Sequence, residues 1–468
     1  LHQHIIPVFY LAGSHHVHPF MRVVCTITIL LALFTNELLR AQGIVFEKGN
    51  WASAVAKAKK QKKLLFLQFD NPTCGSCDVM TAQAFNSPLV REKFAQHFIS
   101  FRIDGTAGLG RELANKLAVE CTPSSVYLDT DENPLARYCG ATSFDRAYLE
   151  KAEEAIVKNR QRPMASFSEA YAKGERSSTF MRNYITRRRE TGLSVQELLD
   201  DYVMHLPQDS LRSADLLRFV FEQGPVVGSK PDSIFRSQYF RVDSLYKAVG
   251  WNKAIELNNR ITNNSLRKAI CEKNSLLARR TADFRRRTYQ NNYKAGRAAQ
   301  DWVMMRYYRE TQDTLRYLRQ ASAYYDAEFM TARVDSIQKL DELDMQRRMR
   351  GETTGTAPSG PPSSNGSFAP YPNTQRYVSA LNQAAWDFQA LTRDSTYLQK
   401  ALSWSKRSLE YRQDGSLLDT YAHILYRLGR KDEALTWQRK AINKEKERNS
   451  PFVAPLEATL KKMQTGTL

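Results

Sequence analysis

Cys74 and Cys77 stand two residues apart in the stretch NPTCGSCDVM, residues 71–80. Cysteines at this spacing suit three kinds of chemistry. They can exchange disulfides as a redox pair, supply half of a metal site, or rest as a fixed disulfide or as thiols with no task. Exchange needs a thiolate, and a free cysteine has a pKa of about 8.5. The start of a helix supplies unpaired N–H groups and a positive dipole end, and both stabilise the thiolate. Gly75 permits close backbone approach and Ser76 is small, so Cys77, one turn later, can point back toward Cys74. That is the arrangement exchange through a mixed disulfide requires.

A structural zinc site wants a second close pair of ligands. Cys121 and Cys139 do not form one, and His97, the one histidine between residues 43 and 160, falls at the expected end of a helix. No metal and no other cofactor is expected.

The elements around the pair must place it. Asn50 can cap a helix from Trp51 to about Lys60, with Trp51, Val55 and Ala58 on one face. LLFLQF, residues 64–69, is a short and nearly all-apolar run, as a buried central strand requires. The cysteines follow at once. A helix runs from about Gly75 to His97 with a break near Pro88, and FISFRI, residues 98–103, is a second buried strand. Residues 109–118 read as helix. SSVYLD (124–129) and PLARYC (134–139) read as strands joined by the turn TDEN. Ser143 can cap a last helix to about Lys158, and IVF (44–46) can add a small first strand.

LLFLQFDNPTCGSC followed by CTPSSVYLD resembles the thioredoxin family over about residues 43–160. The resemblance implies an α/β thioredoxin-like domain in which a proline with a cis peptide bond faces the cysteine pair; Pro123, after Thr122, matches it. Gly140 matches a glycine after the last strand. By the same resemblance Cys74 is the nucleophile, Cys77 the resolving thiol, and the backbone of Thr122 pairs with an extended substrate segment as an added strand. The chain also departs from the family pattern. The usual Trp-Cys-Gly-Pro-Cys is here Thr-Cys-Gly-Ser-Cys, Gln68 stands where a buried Asp is usual, and Asp70 replaces a Trp. Asp70, if it faces the pair, would raise the pKa of Cys74; otherwise it is a solvated loop carboxylate. Gly75, Ser76, Asp70 and Cys121 are thus the candidate modulators of the site.

Cys121 lies two residues before Pro123. It can act as a third thiol, pair with Cys139 across the hairpin end, or pack with Cys139 as a small apolar side chain, and the last is expected. Cys271 is expected in a helical core.

The rest of the chain looks all-helical. Residues 161–348 are strongly basic, and residues 349–373 are rich in Gly, Pro, Ser and Thr, the composition of a flexible linker. In 374–448, Ala401-Leu402 recurs as Ala434-Leu435, Trp404 as Trp437 and Leu409 as Ile442. YAHILYRLGRKDEALTWQRKAI (421–442) resembles a tetratricopeptide repeat, with Ala422, Ala434 and Ala441 as small packing positions and Gly429 in the turn. Two copies are few for such a stack, so middle helices are expected to pack beneath them. Residues 449–468 form a tail.

The N-terminus bears on compartment. From Met21, Arg22 precedes an apolar run of about twelve residues, shorter than the roughly 20 a spanning helix needs. The layout is that of a secretory signal peptide over 21–41, with cleavage near Ala41, and the His-rich residues 1–20 read as an upstream extension. Cys25 falls within this segment. The mature chain is then expected to be periplasmic or secreted, without a transmembrane segment. The formal net charge of +19 would suit nucleic acid inside a cell; outside the cytoplasm no nucleic-acid partner is expected, and Arg187–Arg189, Arg279–Arg280 and Arg285–Arg287 read as solvated helix faces. The expected partners are a protein dithiol or disulfide substrate, a redox partner protein, and a peptide or protein held by the C-terminal helices. Two functions fit: a thiol–disulfide oxidoreductase with a helical recruiting module, or a non-catalytic scaffold whose helices bind a protein partner.

Overall fold

A computed structural model describes residues 43–70, 75–119, 121–161, 163–350, 371–450 and 452–468. The expected signal peptide, residues 351–370 of the linker expected over 349–373, and Cys74 lie outside the described residues. Two units separate. The first holds the described residues up to 173 together with 191–193; the second holds 174–190 and 194–468.

The first unit is a three-layer α/β/α sandwich. Its elements run α1 (Trp51–Gln61), β1 (Leu64–Asp70), α2 (Gly75–Ala82), α3 (Pro88–His97), β2 (Phe98–Asp104), α4 (Gly108–Lys116), β3 (Ser124–Leu128), β4 (Pro134–Cys139), α5 (Asp145–Asn159) and α6 (Met164–Ala172). Asn50 caps α1, its Oδ1 accepting from the Ser53 N–H at 2.8 Å. The strand order is β2-β1-β3-β4; β1 and β2 are parallel, and the other two pairs are antiparallel.

The alternation of β1 side chains builds two cores. Leu64 and Phe66 meet Cys77, Met80, Phe85, Phe94, Tyr148 and Ala152 on one face. Leu65, Leu67 and Phe69 meet Trp51, Ala54, Ala58 and Leu113 on the other. Phe66 is fully buried, with ring centroids 4.7 Å from Phe94, 5.0 Å from Tyr127 and 5.9 Å from Phe85. Gly110 is required where α4 crosses β2, because a Cβ there would sit 1.9 Å from the Asp104 carbonyl oxygen.

Two local expectations change. IVF forms no strand; Phe46 alone makes a parallel bridge, to Ser100, because the chain turns into α1 straight after it. Ser143 does not cap α5. Phe144 takes that position without a side-chain bond, and Asp145, in the first turn, accepts instead from Ser87 Oγ at 2.6 Å.

The second unit is all-helical. Its later part shares one apolar core: Met305, Tyr317, Leu318, Ala321, Phe329 and Ile337 pack with residues such as Val378, Phe388, Trp404, Leu418 and Ile442. Helices Pro372–Leu391, Ser395–Tyr411, Gly415–Arg427, Lys431–Lys446 and Val453–Thr465 follow one another through short loops. Ala422, Ala434 and Ala441 are fully buried, and Gly429 takes the turn with φ of 80°. Asp387 is held inside by Arg309 Nη2 at 2.9 Å, Gln383 Nε2 at 2.9 Å and the Tyr317 hydroxyl at 3.1 Å. The basic clusters are not uniformly solvated. Arg187 is buried, and Arg285 donates to Asn259 Oδ1 at 2.6 Å, whereas Arg279, Arg280, Arg286 and Arg287 are exposed. Cys271 is not in a core: it ends helix Trp251–Cys271 as an exposed free thiol. Among the described residues no helix is long and apolar enough to cross a membrane.

Candidate functional site

Cys77 lies in the first turn of α2 and is buried among the apolar side chains under that helix. It is disulfide-bonded. Its carbonyl accepts from Thr81 Oγ1 at 2.8 Å, an i,i+4 contact along α2. Gly75 and Ser76 open the helix ahead of it. The location follows from the sheet: β1 ends at Asp70, and α2 starts a few residues beyond that C-terminal end. Ligands of open α/β sheets collect at such strand ends.

Pro123 reaches the same end from β3. Phe69 pairs with Ser124, so the antiparallel register carries Pro123 to the level of Asp70. The Thr122–Pro123 peptide is cis, Thr122 is exposed and Pro123 is buried. Gly140 N–H donates to the Pro123 carbonyl at 2.9 Å, tying this loop to the end of β4. Gly140 itself has a φ of 100°.

Polar side chains run along the Cys77 face of the sheet. Gln68 is fully buried there, two residues on from Phe66. Its Oε1 accepts from Ser125 Oγ at 2.5 Å, and its Nε2 donates to Asp70 Oδ1 at 2.8 Å. Asp70 is not a solvated loop carboxylate. It is the last residue of β1, and its Oδ2 lies 2.9 Å from Arg102 Nε. Arg102 Nη2 donates to Thr81 Oγ1 at 2.7 Å, and its guanidinium lies 4.6 Å over the Phe46 ring. The chain Ser125–Gln68–Asp70–Arg102–Thr81 therefore ends at the Cys77 carbonyl. A neutral amide deep in the sheet accepts and donates without a proton of its own to give. The one carboxylate of the chain sits farther out, neutralised by a guanidinium.

Sequence reasoning missed Arg102, Thr81 and Ser125. A signal was present: in FISFRI, Arg102 falls on the alternate positions shared with Phe98, and a charge on an apolar face calls for a partner. The partner itself could not be read, since it comes from the neighbouring strand.

Cys121 and Cys139 are not small buried apolar groups. They are bonded to each other, with Cα atoms 5.8 Å apart, Cys121 half-buried and Cys139 exposed at the end of the edge strand. The β3–β4 register is the cause: Ser124 pairs with Cys139, which sets Cys121, three residues earlier, near the end of β4. His97 closes α3 half-buried, and burial, then Lys93, hold its imidazole below the ordinary value. No cluster of metal-ligating side chains occurs among the described residues.

A family model described as a thioredoxin-like domain matches residues 51–153. Three solved structures are similar to part of the chain. A candidate disulphide-isomerase from Bacteroides thetaiotaomicron is 25% identical, with 26% of this chain and 99% of that one covered and a TM-score of 0.23. A thioredoxin from Thermus thermophilus is 21% identical, covering 24% and 86%, with a TM-score of 0.22. The DsbH oxidoreductase is 22% identical, covering 25% and 88%, with a TM-score of 0.22. No curated protein matches the chain. With its four-stranded sheet, its two-faced core and this match, the segment 51–153 is a thioredoxin-like domain, followed by an all-helical region.

Proposed function

We propose that the chain is an extracytoplasmic thiol–disulfide oxidoreductase. In this reading the Cys74 thiolate attacks a substrate disulfide and forms a mixed disulfide, releasing one substrate thiolate. The Cys77 thiolate then attacks the Cys74 sulfur, the second substrate thiolate leaves, and Cys74–Cys77 is oxidised as the substrate disulfide is reduced. The reverse sequence oxidises a substrate dithiol. Thr122 offers backbone groups to an extended substrate segment, and Pro123 keeps that loop close to the sulfurs. The observation that carries the reading is the placement of disulfide-bonded Cys77, in the first turn of a helix, at the strand end to which Pro123 is also brought. The signal-peptide layout of residues 21–41 supports the compartment. The C-terminal hairpins, which resemble tetratricopeptide repeats, would recruit the partner.

Turnover in an insulin-reduction or dithiol-oxidation assay tests the reading. Activity should be present in the wild type and absent in Cys74→Ser. Equal activity in both would overturn it. The scaffold reading is favoured only if a partner is captured through the C-terminal helices while Cys74→Ser changes nothing.

A further inference from the structure

The Cys121–Cys139 bond has no part in the exchange just described, yet it lies at the same end of the sheet. Ser124 pairs with Phe69 on one side and with Cys139 on the other, so the bond sits two strands across from the end of β1. Cys139 closes an edge strand and is exposed; Cys121 is half-buried. The hairpin has ties other than this bond. The β3–β4 ladder runs from Ser124–Cys139 to Leu128–Pro134. Its turn is fixed by Asp129 Oδ1, which accepts from the N–H groups of Asp131 at 2.9 Å and Asn133 at 2.8 Å. Gly140 N–H donates to the Pro123 carbonyl at 2.9 Å, a further tie between the same two segments that involves neither sulfur. A domain with two apolar cores has little need of a staple.

We propose that Cys121–Cys139 is a second exchangeable disulfide, opened by dithiols that attack the sulfur of the exposed residue Cys139. The incoming thiolate bonds to Cys139 Sγ, the Cys121–Cys139 bond breaks, and Cys121 leaves as a thiolate. The second thiol of the incoming molecule, once deprotonated, attacks its own sulfur in the mixed disulfide and releases the Cys139 thiolate. The dithiol is oxidised to a disulfide, and Cys121 and Cys139 are reduced to two thiols. Attack is directed by access, since Cys121 is the less exposed of the two residues. The co-reactant is any protein or small-molecule dithiol of the compartment. This inference does not rest on the role given to Cys74 and Cys77.

The test uses the full chain carrying Cys74→Ser, Cys77→Ser and Cys271→Ser. The folded protein is held in excess dithiothreitol without denaturant, then alkylated and mapped by mass spectrometry. Both Cys121 and Cys139 should be labelled while the far-UV circular dichroism stays native. Labelling only after denaturant is added would overturn the proposal and leave a structural staple. If the triple variant does not fold, the same mapping on the wild type separates the 74/77 peptide from those of Cys121 and Cys139. A second arm fixes the attacked sulfur. With excess reduced glutathione as probe on the intact bond, and acid quenching at early times, the mixed disulfide on Cys139 should form about tenfold faster than the one on Cys121. Equal or reversed rates would overturn the assignment to Cys139.

Discussion

The Asp70 carboxylate and the Arg102 guanidinium meet at 2.9 Å across two parallel strands, and the same guanidinium bonds Thr81 on α2. One ion pair thus fastens the end of β1, β2 and the helix that carries Cys77. Asp70 is 16% and Arg102 34% exposed, so solvent screens the pair only in part. Arg102→Met keeps an unbranched apolar stem and removes the guanidinium, with its ion pair and its contact over the Phe46 ring. It should cost about 1–2 kcal/mol in urea unfolding. A loss under about 0.5 kcal/mol would mean that water already competes fully for the pair.

Removing the resolving thiol should expose the order of the proposed steps. Cys77→Ser leaves Cys74 able to form a mixed disulfide and unable to resolve it internally. Covalent adducts with a disulfide substrate should accumulate on non-reducing gels. Cys74→Ser should give none, both variants carrying Cys271→Ser so that the exposed free thiol there cannot form adducts of its own. Adducts in Cys74→Ser and none in Cys77→Ser would reverse the roles.

Gly110 admits no side chain. Its virtual Cβ meets backbone, not a side-chain tip that could swing away. Gly110→Ala should therefore force α4 away from β2 and cost about 1–3 kcal/mol, the usual range for overpacking. Thermal unfolding followed by circular dichroism measures it; a neutral result would mean α4 shifts freely.

The helical unit should weaken as pH rises through the titration of Asp387. Burial raises this carboxyl above its ordinary value, with Arg309 offsetting part of the effect. The folded state then holds the proton more tightly than the unfolded one. The stability so gained is complete below the unfolded value of about 3.9 and is lost as pH climbs through the raised folded value. Asp387→Asn cannot titrate, so unfolding free energy plotted against pH should fall less steeply over that window. An unchanged slope would assign the pH dependence elsewhere.

Cutting the chain at residue 351 should not leave a well-folded remainder. Tyr317, Phe329 and Ile337 share their core with Phe388, Trp404 and other residues beyond the cut. The truncated chain should bind a hydrophobic dye and aggregate. If it stayed monomeric with native helix content, the two parts would be independent after all.

How much of this was legible depends on whether a feature is local. The β1 run, the Asn50 cap, the break at Pro88 and the hairpin 124–139 are written in short stretches of residue type, and the structure follows them closely. The 33-residue offset announced helical hairpins whose small positions are buried. Cys-x-x-Cys and Thr-Pro marked the candidate site because their chemistry depends on residue type at fixed spacing.

What the amino-acid order determined by itself was therefore the alternation of elements, the apolar faces and the identity of the cysteine and proline candidates. Only the tertiary structure decided the partners: Arg102 for Asp70, Ser125 for Gln68, Cys139 for Cys121, and Arg309 for Asp387. Each joins residues far apart in the chain, and strand register or helix stacking selects among many chemically suitable groups. Residue type says that a buried charge or a thiol needs a partner; which one it finds is a matter of where the backbone brings the chain back upon itself.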